Sequence, residues 1–76
     1  MDTLDRRVMD LIRGRASWNT GVIHLRLAEI CDTLLARHGG QRPNPKDIRT
    51  TVRRLAKQGR VRWATVNDQD VHILAG

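Results

Sequence analysis

Leu4, Val8, Leu11 and Ile12 recur at the i, i+4, i+7, i+8 spacing of a single buried helical stripe and predict a helix over residues 3–13. Thr3 or Asp2 can cap its start, and Gly14 its end. Ser17-Trp18-Asn19-Thr20-Gly21 reads as a loop by composition, with Val22-Ile23 as a short extended segment leading out of it. Over 25–37, Leu27, Ala28, Ile30, Cys31, Leu34 and Leu35 fall on one side of a helical wheel, and Arg26, Glu29, Asp32 and Thr33 on the other. This second helix stops at Gly39-Gly40. Gln41-Arg42-Pro43 then continues as a loop, because Pro43 and Pro45 lack the amide hydrogens a helix interior needs.

The third helix, 44–58, has the clearest start in the chain. Asn44 can accept from orphan amides as N-cap, Pro45 suits the first helical position, and Asp47 favours the positive helix end. Gly59 is its stop. Ile48, Val52 and Leu55 make the buried stripe, and at 100° per residue the opposite direction is taken by Lys46, Thr50, Arg53 and Lys57, with Arg49 and Arg54 flanking. The period then changes to two. Val61 and Trp63 alternate with Arg60, Arg62 and Ala64, Asn67-Asp68-Gln69-Asp70 reads as a turn, and Val71 and Ile73 alternate with His72 and Leu74. A hairpin over 60–74 follows, in which Val61 and Trp63 point inward and Trp63 packs the hairpin onto the third helix. Trp18 is expected to cover the helical core from its loop.

The length of 76 residues predicts one domain, 1–76, with a single core. Phe and Tyr are absent, so that core must be aliphatic. A core of this size seldom nets more than about 3–5 kcal/mol, which favours support from a partner or ligand. The chain carries fourteen Lys and Arg against eight Asp and Glu, a net charge of +6. Nine of those bases lie between Arg37 and Arg62 with Asp47 as the one acid, so this segment alone carries +8 and the remainder −2. Charge confined to one third of a small domain implies a polyanion on one side. Twelve of the bases are Arg, whose planar fork suits phosphate oxygens and guanine edges.

Other chemistries find little support. Cys31 has no second cysteine to pair with, the first ten residues carry acids where a secretory signal has a basic start, and no apolar run approaches a membrane span. A soluble, cytoplasmic protein without membrane contact is expected, nucleoid-associated when bound. His24, Cys31 and His38 are spaced seven apart, but seven helical residues advance about 10.5 Å while zinc ligands lie within about 2.3 Å of one ion. No metal site is predicted, and Cys31 reads as a small core residue. No nucleophile, base and orienting acid are set near one another, and Gly39-Gly40 is not followed by the Lys-Ser or Lys-Thr of a phosphate loop. A protein without catalytic residues or cofactor is expected.

The order helix, short strand, helix, turn, basic helix, hairpin, together with Leu27-Ala28-Glu29-Ile30, the run from Ile48 to Leu55 and Gly59-Arg60-Val61, resembles the winged helix-turn-helix family of small bacterial, plasmid and phage regulators. The resemblance covers nearly the whole chain. It implies an α+β, mostly helical fold: a three-helix winged helix-turn-helix with a C-terminal β-hairpin wing. It also implies that the third helix enters the DNA major groove, with Lys46, Arg49, Thr50, Arg53 and Lys57 facing base edges and nearby phosphates. Arg60 and Arg62 would meet phosphates beside the wing. Arg42 and Asn44 before the helix, and Arg54 on its flank, complete the DNA-binding set. Two features depart from the family pattern. The turn over 37–43 is long and carries extra bases, and the phosphate-repelling Asp68 and Asp70 at the wing tip predict a tip that stays in solvent.

The dimensions agree as well, since a helix about 10–12 Å across matches a major groove near 12 Å wide. Arg53 and Arg49 are the best candidates for bidentate base contacts. Sequence-specific binding of double-stranded DNA, in transcription regulation, is the function expected, with about six phosphates neutralised and a log–log salt slope of about −5. Two other classes use the same fold. One is a protein-interaction module docking on a polymerase or replication partner, for which Leu25 and Leu74 are the exposed apolar candidates. The other is an RNA binder. Met9 and Leu74 are the leftover apolar positions for a homodimer reading paired half-sites.

Overall fold

The computed structural model describes residues 3–16 and 21–74. The element order is α1 (Thr3–Ala16), β1 (Ile23–Arg26), α2 (Leu27–His38), α3 (Pro45–Lys57), β2 (Trp63–Val66) and β3 (Asp70–Leu74). The fold is α+β and mostly helical, with three helices and a C-terminal hairpin. β1 and β2 both pair antiparallel with β3, giving one sheet of order β1-β3-β2. The last strand in sequence is therefore the middle strand in space.

Alternation along the strands divides the sheet. Ile23, Leu25, Val71 and Ile73 are buried on its inner face, with Ala64 and Val66 packed beside them. Val8, Met9, Leu11 and Ile12 of α1, Leu27, Ile30, Cys31 and Leu34 of α2, and Ile48, Val52 and Leu55 of α3 close over them in one cluster, which is aliphatic apart from Cys31 and Met9. α3 packs against α1, α2 and β2. Its axis is thus braced on three sides, and the fourth is left to solvent.

The N-terminus of α3 is built as its sequence predicts, with the Asn44 side chain accepting from the Lys46 amide at 2.9 Å and Pro45 in the first turn. At the other end Gly59 takes φ +74°, which an L side chain rarely adopts. Its amide donates to the Ala56 carbonyl at 3.1 Å, and that of Arg60 to Leu55 at 3.0 Å. This double closure is a Schellman stop.

Several expectations change. α1 runs through Gly14 to Ala16 rather than ending at residue 13. α2 begins at Leu27, not at residue 25, because Leu25 and Arg26 belong to β1, where they pair with Val71 and Asp70. Leu25, read as an exposed candidate, and Met9, read as left over for a second copy, are buried in the core, and Leu74 is half-buried. Ala28, placed on the buried side of the second helix, is exposed, and on α3 Thr51 joins the buried stripe of Ile48, Val52 and Leu55. Trp63 does not pack inward. It is 44% exposed, because residues 60–62 form bends that break the alternation between Val61, which is buried, and the start of β2. Trp18 lies outside the described residues.

Candidate nucleic-acid interface

The burial of Ile48, Thr51, Val52 and Leu55 fixes the rotation of α3 about its axis, so Lys46, Thr50, Arg53 and Lys57 are turned to solvent. Lys46 and Lys57 are eleven residues apart, about 16 Å at ~1.5 Å per residue. That length matches the rise of roughly five base pairs. Among the described residues no carboxylate forms an ion pair with Lys46, Arg53 or Lys57. Thr50 donates its hydroxyl to the Lys46 carbonyl at 3.1 Å, so toward a ligand its oxygen acts as an acceptor. Arg60 and Arg62 are also exposed, just past the C-terminus of α3, and Arg60 Nε donates to Gln58 at 3.2 Å.

The other predicted residues are occupied within the fold. Arg54 Nη1 donates to both oxygens of Asp5, at 2.9 and 3.1 Å, and clamps α3 to α1. The Asp5 side chain is only 5% exposed, whereas that of Arg54 is 43% exposed. Arg42 Nε donates to Asp32 at 2.7 Å, tying the long turn back to α2. That bond raises the Arg42 guanidinium further above its already high ordinary pKa, so it stays charged at any working pH. Arg49 Nη1 donates to Asp68 at 2.7 Å, from α3 to the hairpin turn. Asn44 spends its side-chain oxygen on the helix cap. The ten predicted residues thus separate into an outward ridge of Lys46, Thr50, Arg53 and Lys57 continued by Arg60 and Arg62, and a set engaged by Asp5, Asp32, Asp68 and the Lys46 amide. Helical periodicity alone could not find these acids, since Asp5 and Arg54 stand 49 positions apart in the chain.

The hairpin is short and tethered. Asn67 Oδ1 accepts from the amides of Gln69 and Asp70 at 2.8 and 2.7 Å, and the Leu27 amide at the start of α2 donates to the Gln69 carbonyl at 2.9 Å. The hairpin turn is therefore fastened to the helical body. Asp70 accepts no phosphate-competing arginine but bonds His24 Nε2 at 2.9 Å, and the His24 and His72 rings stack at 4.6 Å across the sheet.

Among the described residues no group of three His, Cys, Asp or Glu could hold a metal ion, no buried side-chain polar atom lacks a partner, and no helix is long and apolar enough to cross a membrane. Cys31 is buried in the core, and burial pushes its thiol pKa up, with Arg42 partly opposing. A shallow cleft of about 260 Å³ lies between the starts of α2 and α3 and the hairpin turn, lined by Arg26, Leu27, Ala28, Pro45, Asp68 and Gln69. No family model, curated protein or solved structure matches the chain.

Proposed function

We propose that this protein is a sequence-specific double-stranded DNA-binding protein of the winged helix-turn-helix type, acting as a small transcriptional regulator in the cytoplasm and without catalytic activity. α3 lies in the major groove, Lys46, Thr50, Arg53 and Lys57 face base edges and flanking phosphates, and Arg60 and Arg62 meet the backbone beside the hairpin. One observation carries this reading: the ridge is single-signed, exposed and without acidic partners among the described residues, although the same domain supplies acids to Arg42, Arg49 and Arg54. Like charges at i,i+4 and i,i+3 cost a helix a few tenths of a kcal/mol per pair. A polyanion reverses that cost, which solvent alone does not.

With Arg42, Arg49 and Arg54 engaged, five cations remain for phosphates: Lys46, Arg53, Lys57, Arg60 and Arg62. Fluorescence anisotropy against a labelled duplex should give a slope of log affinity on log salt of about −4.5. Selection from a randomised duplex library should enrich a common motif. Absence of duplex binding at low salt, or preference for A-form RNA over B-form DNA, would overturn the assignment. A second reading, docking of a protein on the outer sheet face, is favoured by one feature. Val22, 54% exposed, precedes the edge strand β1, and on the other edge exposed Trp63 pairs with half-buried Leu74. A stoichiometric protein partner recovered while gel shifts stay blank would support it instead.

A further inference from the structure

Arg49 is only 24% exposed, yet its partner Asp68 is 95% exposed. An ordinary surface ion pair leaves both ends free to wander, and such pairs are weak and entropically costly to hold. Here the acid is fixed by its backbone. It sits in a turn fastened by the Asn67 side chain on one side and by the Leu27 amide to the Gln69 carbonyl on the other. The hairpin turn therefore presents a carboxylate at a set position beside the N-terminal half of α3.

A guanidinium has five N–H donors in a rigid fork. Asp68 Oδ1 accepts from Nη1 of Arg49. Nε and Nη2 have no acceptor among the described residues, and together they form the bidentate edge that matches N7 and O6 of guanine. Arg49 also stands one helical turn before Arg53, about 6 Å away, on the flank next to the exposed ridge. A long side chain held in one rotamer loses less freedom on binding than a free one. The contact to Asp68 also strengthens when groove water is displaced and the local dielectric falls.

We infer that Asp68 is a positioning residue for base recognition: through its Nη1 contact it sets the Arg49 fork to read one guanine. This rests on the proposed duplex binding and extends it to specificity. A carboxylate beside DNA lowers affinity for every duplex by its charge, whereas a positioning carboxylate raises discrimination at one base pair. Charge alone and positioning thus predict opposite outcomes.

The test compares the full chain with Asp68→Ala, Asp68→Glu and Arg49→Ala, each put through selection from a randomised duplex library and then titrated against the selected duplex and an unrelated one. Asp68 is exposed, so its variants should keep the wild-type melting temperature, which circular dichroism checks. In Asp68→Ala, preference at a single base pair should fall about five- to tenfold, at the same position that Arg49→Ala relaxes, while affinity for the unrelated duplex does not fall. Asp68→Glu should restore part of the preference. A rise in affinity for both duplexes with the motif unchanged would show a purely electrostatic acid and overturn the inference, as would loss of preference at a position that Arg49→Ala leaves intact. Failure of the wild-type chain to enrich any duplex would instead bring down the underlying function, and positioning with it.

Discussion

Arg53 and Arg54 are adjacent in sequence and opposite in role, and alanine at each should separate stability from affinity. Arg54→Ala strands a carboxylate that is 5% exposed and that accepts two bonds, at 2.9 and 3.1 Å, from one nitrogen. A hydrogen bond to a charged group contributes about 1.5–3 kcal/mol, and breaking a fully buried pair costs about 3–5 kcal/mol. Because the Arg54 side chain is 43% exposed, water screens the pair and the lower range applies, about 2 kcal/mol. In a domain of this size each kcal/mol moves the melting temperature by roughly 4–8 °C, so a fall of about 8–16 °C is expected by circular dichroism. Arg53→Ala removes an exposed side chain with no acidic partner and should stay within about 0.5 kcal/mol of wild type. Asp5→Ala leaves its former partner hydrated at the surface, so the double variant should recover much of the loss in Arg54→Ala, with a coupling energy of about 1 kcal/mol or more. In the binding assay the order reverses: Arg53→Ala weakens duplex binding and reduces the salt slope by about 0.9, whereas Arg54→Ala leaves the slope unchanged at a temperature where both are folded. A melting shift below about 4 °C for Arg54→Ala, or a double variant no more stable than the single one, would refute the clamp.

Further outcomes follow from other positions. Gly59→Ala forces a side chain into the left-handed region that closes α3, and should cost about 1–2 kcal/mol in urea unfolding. Asn44→Ala removes the cap on the Lys46 amide and should cost about 1 kcal/mol, with Asn44→Asp restoring it. Burial raises the Cys31 thiol above its ordinary value, so its contribution to stability is complete below the unfolded thiol pKa, about 8.5, and is lost as pH rises through the higher folded value. Melting temperature should therefore decline in alkaline buffer, less so in Cys31→Ala, and thiol alkylation should follow global unfolding rather than proceed from the native state. Trp63→Ser should change stability by under about 1 kcal/mol, since the indole is not a core group.

Much of the fold was legible because its signals are local. Asn44, Pro45 and Gly59 mark the ends of α3 by backbone chemistry that does not depend on the rest of the chain, and the Ile48, Val52 and Leu55 stripe fixes which face is exposed. Signals that compete with tertiary contacts misled. Gly14 is a plausible helix stop, but α1 continues past it, and Arg15 in the extra turn pairs with Glu29 of α2 at 2.9 Å. Leu25 fits a helical stripe as well as a strand, and the pairing with Val71 decides for the strand. The phase of Trp63 was lost at the bends after Gly59, which no period-two count detects. At the candidate site, the ridge was readable from the wheel, but the division of its arginines between internal clamps and free donors was not. Those clamps join α3 to Asp5 of α1 and Asp68 of the hairpin, and only the folded chain brings them together.

The sheet order β1-β3-β2 has a consequence for synthesis. As the chain leaves the ribosome, β1 and β2 have nothing to hydrogen-bond to until 70–74 emerges, because they never touch each other as neighbours. Ile23 and Leu25 therefore have no strand neighbour until residues 27–69, which separate β1 from β3, have been made. Assembly must then be abrupt, with the central strand seating both edges at once, so shortening the chain by that one segment should leave a collapsed, protease-sensitive species rather than a smaller folded one.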